Sequence, residues 1–150
     1  DCATMMNKGF EVIEAHYLFG LPIRKIGTII CKNSYVHSLI KYKDQTYRLD
    51  ASKPDMRVPI KYALFEGVLE FDTYLYKDLS KVKNTSFEEF DIKRYPVVKY
   101  ANMVIKNKGT YGAVLNAANE EAVYAFLNGK IKFLGYEDNS YRFCATRGYM

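Results

Sequence analysis

From Thr4 to Phe19 the apolar residues Met6, Phe10, Ile13 and Tyr17 return every third or fourth position, which predicts an amphipathic helix. Gly20 and Pro22 end it. The period then changes: Ile26 to Cys31 is a short apolar, β-rich run that predicts a buried strand. After a polar turn at Lys32 and Asn33, the stretches from Ser38 to Tyr42 and from Thr46 to Leu49 predict two strands joined through KDQ, with Tyr47 and Leu49 alternating against polar neighbours. SKPDMRVPIKYALF, from Ser52 to Phe65, turns at Pro54 and regains a helical tendency, which Pro59 restricts to a start or a kink. From about Leu69 to Lys93 charge rises and the period weakens, as in a connecting segment with short elements.

Beyond Arg94 helical signals dominate. Pro96 suits the first helical position, and Val97, Tyr100, Val104 and Ile105 form a stripe that stops at Gly109. A second helix is expected from about Asn116 to Asn128, with Glu120 and Glu121 in its early turns and Gly129 as its stop. Ala118, Ala122, Val123, Phe126 and Leu127 supply its expected buried face. The last residues, EDNSYRFCATRGYM, carry no clear period. No run of βαβ units and no glycine-rich phosphate loop is present. The expected class is therefore α+β, a mixed small sheet with helices in the first half and a helical second half. The expected divisions are residues 1–68, a connection at 69–93, and 94–150 as the start of a helical domain.

Composition narrows the class. With 150 residues, 49% hydrophobic and 26% charged, the chain can bury a core of its own. No apolar run approaches the roughly 20 residues of a spanning helix, so no membrane partner is expected. Cys2, Cys31 and Cys144 match neither a zinc set nor a disulfide framework, which points to a reducing, cytoplasmic setting. The net charge of +5 arises from single basic residues scattered among acids, and most of the 14 Tyr and 9 Phe fall at core periodicity. A nucleic-acid partner is accordingly not expected. A modestly positive field suits a phosphorylated small molecule.

The chemistry-bearing residues concentrate at the start. Asn7, Lys8 and Glu11 lie three and four residues apart on the first helix and project from one face. Lys8 offers a point charge for phosphate, Asn7 donors and an acceptor for hydroxyls, and Glu11 hard oxygen for a divalent cation. The alternative is a solvated Lys8–Glu11 pair worth a few tenths of a kcal/mol, and spacing alone leaves both readings open. His37, in NSYVHSL beside Ser34 and Ser38, can orient a substrate or shuttle a proton, or serve as a hydrogen-bonded structural residue. His16 has a helix-dipole explanation. In KPDMRVPI, Asp55 suits a helix cap, Met56 can pack on a flat ring or fill a core, and Arg57 can bind an anion or pair with an acid.

ATMMNKGFEVIEAHYLF, NSYVHSL, KPDMRVPIKYAL, RYPVVKYA and AVLNAANEEAVYAFLNGKIKF occur in this order. Together they resemble the 1-deoxy-D-xylulose 5-phosphate reductoisomerase family, over about residues 3–133. The resemblance implies an enzyme dependent on NADPH and on Mn2+ or Mg2+. It rearranges the skeleton of a ketose phosphate and reduces the resulting aldehyde to 2-C-methyl-D-erythritol 4-phosphate, in isoprenoid biosynthesis. It implies catalytic roles for Lys8, Glu11 and His37, with Glu11 one of three acidic metal ligands. Cys2, Asn7, Lys8 and Ser34 would bind substrate, and Met56 would lie near the nicotinamide ring. Residues 1–68 would be part of the catalytic domain. A homodimer is implied, cytoplasmic or in a plastid-type organelle in a eukaryote.

Some positions depart from the family pattern. Cys2 stands for a serine that helps bind phosphate, and a thiol is the weaker partner. Cys31 and Lys32 replace a frequent histidine and proline, and the hairpin KDQT lacks the usual glycine. The chain opens at Asp1 within its most organised motif. The family's nucleotide-binding domain and two further metal ligands precede that motif, so the 150 residues by themselves are expected to be inactive. A non-catalytic phosphate-binding or regulatory module is the alternative.

Overall fold

The structure, a computed structural model, describes residues 3–65, 82 and 84–133. Its α+β class agrees with the sequence expectation. In chain order the described elements are α1 (Met6–Phe19), β1 (Ile29–Cys31), β2 (Val36–Lys41), β3 (Tyr47–Ala51), α2 (Arg57–Leu64), β4 (Phe87–Glu89), α3 (Val97–Asn107) and α4 (Tyr111–Leu127). Two compact units divide them, one drawn from Asp1–Thr28 with Phe90–Met150 and the other from Ile29–Glu89. Much of the expected connecting segment 69–93 lies outside the described residues.

In the first unit, α1 packs on α3 and α3 on α4. Gly9 sets the first contact: a Cβ there would stand 3.3 Å from both Val97 Cβ and the Val97 carbonyl oxygen. Without a side chain the two helices approach closely, and Met6 and Val97 become the largest fully buried side chains. Met6, Val97, Val104 and Leu115 make one core cluster, and Val12, Ala101 and Ile105 another. Burying a side chain of Met6's size contributes roughly 1.5–3 kcal/mol. The predicted α1 stripe needs one correction, since Tyr17 is 55% exposed and the buried face runs through Met6, Gly9 and Val12 instead.

The second helix of this unit differs from expectation at both ends. α4 begins at Tyr111, and Gly112 lies in its first turn with space for a Cβ 3.5 Å from Val104 Cγ1. Glu120 and Glu121 fall in the middle of the helix, so the dipole argument for them does not hold. Its buried residues are Leu115, Ala118, Asn119 and Ala122, whereas Phe126 and Leu127 are exposed. The stop is as expected: Gly129 takes φ 69°, its N–H reaches the Phe126 carbonyl, and the Lys130 N–H reaches that of Ala125. Those two bonds satisfy carbonyls that the helix end leaves open.

The second unit holds two separate antiparallel ladders. β1 pairs with β4, and β2 with β3 in the register Leu39 opposite Leu49. The β2–β3 hairpin turns without glycine because Gln45 accepts the left-handed conformation, φ 71°. Asp44 secures that turn, its Oδ1 accepting from the Thr46 N–H at 2.9 Å and the Thr46 hydroxyl at 2.7 Å. α2 starts two residues before Pro59, whose missing N–H falls in the first turn, where helix donors lack partners.

Candidate substrate and metal site

On α1 the sequence brings Lys8 and Glu11 together: Lys8 Nζ donates to Glu11 Oε2 as an i, i+3 ion pair. Both remain reachable, with side chains 34% and 53% exposed, and Asn7 is exposed beside them. The helix begins unusually. Met5, the residue before its first turn, has φ 58°, and the Met6 N–H reaches the buried Thr4 hydroxyl at 3.4 Å. A long side chain in the left-handed region is uncommon and is kept only where its surroundings dictate it. Here Met5 packs against the Met6 core cluster, so the backbone immediately before Asn7 and Lys8 is anchored. Cys2 lies outside the described residues.

Ser34 and His37 belong to the other unit. Ser34 is exposed, has φ 52° and closes a turn by donating its N–H to the Cys31 carbonyl at 3.1 Å. His37 is the extra residue of a bulge: Val36 faces Ala51 and Ser38 faces Asp50, which leaves His37 without an opposite number. Bulges re-aim side chains. The His37 Nε2 lies 3.1 Å from the Ser52 carbonyl. A carbonyl only accepts, so Nε2 carries the proton and a neutral ring presents Nδ1 as acceptor.

Met56 precedes α2 and is 72% exposed, so it is not a core filler. Asp55 and Arg57, its neighbours in sequence, bond to each other. The Arg57 Nε and Nη2 donate to Asp55, the shortest contact being 2.6 Å, and the Arg57 N–H donates to Asp55 Oδ1 at 3.0 Å. The Arg57 side chain, followed by its backbone N–H, holds the Asp55 carboxyl below the usual aspartate range, and Asp55 in turn raises Arg57. Met56, not Asp55, occupies the cap position of α2; Asp55 lies one residue earlier and accepts the first helical N–H, and Arg57 is paired with an acid. His16 lies in the last turn of α1, its Nδ1 2.6 Å from the Leu21 carbonyl beyond the helix end.

Sequence reasoning missed Gly9, Thr4 and Asn33. Gly9 interrupts an apolar stripe and Thr4 precedes it, which are weak signals. Asn33 read only as a turn residue. Among the described residues no three His, Cys, Asp or Glu side chains group closely enough to hold an ion. Magnesium and manganese take carboxylates together with waters and substrate oxygens. Glu11 has the hard oxygens that such an ion takes, and the described residues do not complete a site around it. No helix among them is long and apolar enough to cross a membrane.

Residues 51–147 match the family model described as the DXP reductoisomerase C-terminal domain. The 1-deoxy-D-xylulose 5-phosphate reductoisomerase of Chlorobium chlorochromatii is 48% identical over 135 residues, 89% of this chain and 35% of the relative. The reductoisomerase of Zymomonas mobilis, solved in complex with NADPH, superposes with a TM-score of 0.84 at 39% identity, covering 95% of this chain and 38% of that one. A DOX-P reductoisomerase solved in complex with magnesium gives 0.81 at 36% identity, over 97% of this chain and 36% of that one. The chain thus spans about a third of the length of the relatives it matches. Ordered motifs, a shared fold and this identity agree: the chain belongs to the 1-deoxy-D-xylulose 5-phosphate reductoisomerase family.

Proposed function

We propose that the chain supplies the substrate-gripping part of an NADPH- and divalent-metal-dependent reductoisomerase that converts 1-deoxy-D-xylulose 5-phosphate to 2-C-methyl-D-erythritol 4-phosphate. The observation that carries this reading is the Lys8–Glu11 pair on an exposed edge of α1, next to Asn7. An amine and a carboxylate already in contact hold each other in place on one helix face. With substrate and ion bound, Lys8 would hold the phosphate and Glu11 the cation, so each charge would exchange one partner for another. Asn7 then offers its amide to the substrate hydroxyls. Holding the phosphate end in this way spends remote binding energy on orienting the reacting carbons.

Glu11 would supply one ligand to the ion, which when bound polarises the carbonyl and holds the adjacent oxygen. Ser34 and His37 would contact substrate, His37 through an Nδ1 kept available by the Ser52 contact. Exposed Met56 would pack against the nicotinamide ring. Residues 1–68 would contribute to the catalytic domain and 94–150 to the closing helical one. The complete enzyme would be a cytoplasmic homodimer, or lie in a plastid-type organelle in a eukaryote.

Placing the part of the Chlorobium relative that precedes the matched stretch before residue 1 tests this. NADPH oxidation with the ketose phosphate and Mn2+ is the expected result, whereas the 150 residues by themselves give none. A chimera that binds inorganic phosphate at Lys8 yet shows no rate would make the chain a non-catalytic module instead.

A further inference from the structure

Asn33 sits in the turn between β1 and β2, and its side chain ties that turn to itself and to Thr85. Its Oδ1 accepts from the Tyr35 N–H at 3.1 Å and from the Cys31 thiol at 3.0 Å. Its Nδ2 donates to the Thr85 hydroxyl at 3.0 Å, across 52 residues of sequence. Between these contacts lies Ser34, held at φ 52°, a conformation in which an L side chain crowds the following carbonyl. A serine stays there only when its neighbours leave no alternative.

The ties continue beyond the turn. Tyr35 is buried and its carbonyl accepts the Ser52 N–H at 3.0 Å, while the Ser52 carbonyl faces His37 Nε2 at 3.1 Å. A connected path therefore runs from Thr85 through Asn33 and the Tyr35 and Ser52 peptides to the imidazole. We propose that Asn33 is a positioning residue, anchored by Thr85, that sets the Ser34 backbone and the His37 ring for the sugar phosphate; this rests on the functional reading above. Asn33 acts through Ser34 and His37 and need not touch substrate itself.

Two variants separate this role from simple folding. Thr85→Val removes the hydroxyl that Asn33 uses and keeps the side-chain shape, whereas Thr85→Ser retains the hydroxyl. In the chimera, Asn33→Ala and Thr85→Val should each raise KM for the ketose phosphate about three- to tenfold, the scale of one lost hydrogen bond, with kcat within about twofold. Thr85→Ser should restore the parent KM. In the 150-residue chain, NMR couplings at Ser34 should report a positive φ in the parent and in Thr85→Ser, and its loss in the other two. Unchanged KM in both Asn33→Ala and Thr85→Val, or a Ser34 that keeps its positive φ in both, overturns the inference. A parent chimera without turnover overturns the functional reading instead, and the Ser34 couplings still decide whether Asn33 positions that backbone.

Discussion

At the scale of single residues, the site groups differ in what their surroundings demand of them. Lys8 and Glu11 form an exposed pair, so replacing either is cheap for folding, and under the proposed role it is costly for binding. In the active chimera Lys8→Gln should raise KM for the sugar phosphate roughly 10- to 100-fold, since a charged hydrogen bond contributes about 1.5–3 kcal/mol. Steady-state kinetics read this directly, and an unchanged KM would remove Lys8 from the phosphate site. Asp44 and Asp55 are ordinary acids by type, yet the Thr46 hydroxyl lowers one and the Arg57 guanidinium the other. A carboxyl lowered in the folded state contributes stability above the ordinary value of about 3.9 and loses it as pH falls through the lowered folded value. Carboxyl NMR titration should therefore place both midpoints below that value. Arg57→Gln should return Asp55 toward it and leave Asp44 where it was.

At the scale of elements, legibility followed the strength of the apolar period. α1 and α3 were readable because Met6, Val97 and Val104 recur at helical spacing and are buried together. The start of α4 was not, because Tyr111 and Gly112 resemble a turn, and only the packing against Val104 shows why glycine is placed there. Three-residue β4 has no room for alternation, and all three of its residues are exposed. The Lys8–Glu11 proximity was legible from spacing, whereas the Asn33 ties depend on Thr85, far away in sequence. Gly9 offers the sharpest test at this scale. Its Cβ would press a backbone carbonyl that cannot swing aside. Overpacking costs about 1–3 kcal/mol, and alanine's better helix propensity returns up to about 1. Gly9→Ala should lower the denaturant midpoint of the first unit, and an unchanged midpoint would mean that α1 and α3 are not in close contact. Gln45→Gly should act in the opposite sense. It relieves a left-handed side chain at about 1–2 kcal/mol against a glycine entropy cost of about 0.5–1, and the hairpin's melting should shift upward.

At the scale of the whole molecule, the proposed role asks a chain spanning about a third of the length of its relatives to join a metal site that it does not complete. Its described residues bring one carboxylate to the proposed ion, and that carboxylate is paired with Lys8. A cation held at Glu11 would compete with the Lys8 ammonium for the carboxylate, and a phosphate would give that ammonium a second partner. Two consequences separate this arrangement from a self-sufficient metal site. Titration calorimetry of the 150-residue chain with Mn2+ should show affinity no tighter than millimolar, the weak end of the range expected when few charged ligands are assembled. In the chimera, where further carboxylates are supplied, affinity should rise by at least about tenfold and rise again when the ketose phosphate is added, because the phosphate relieves Lys8 of its carboxylate partner. Glu11→Gln should abolish the increase. Lys8→Gln should strengthen binding of the ion alone while weakening that of the sugar phosphate, since it frees Glu11 and removes the anion's partner. Tight Mn2+ binding by the 150 residues, or equal ion affinity with and without the ketose phosphate, would contradict the exchange of partners on which the proposed role of α1 rests.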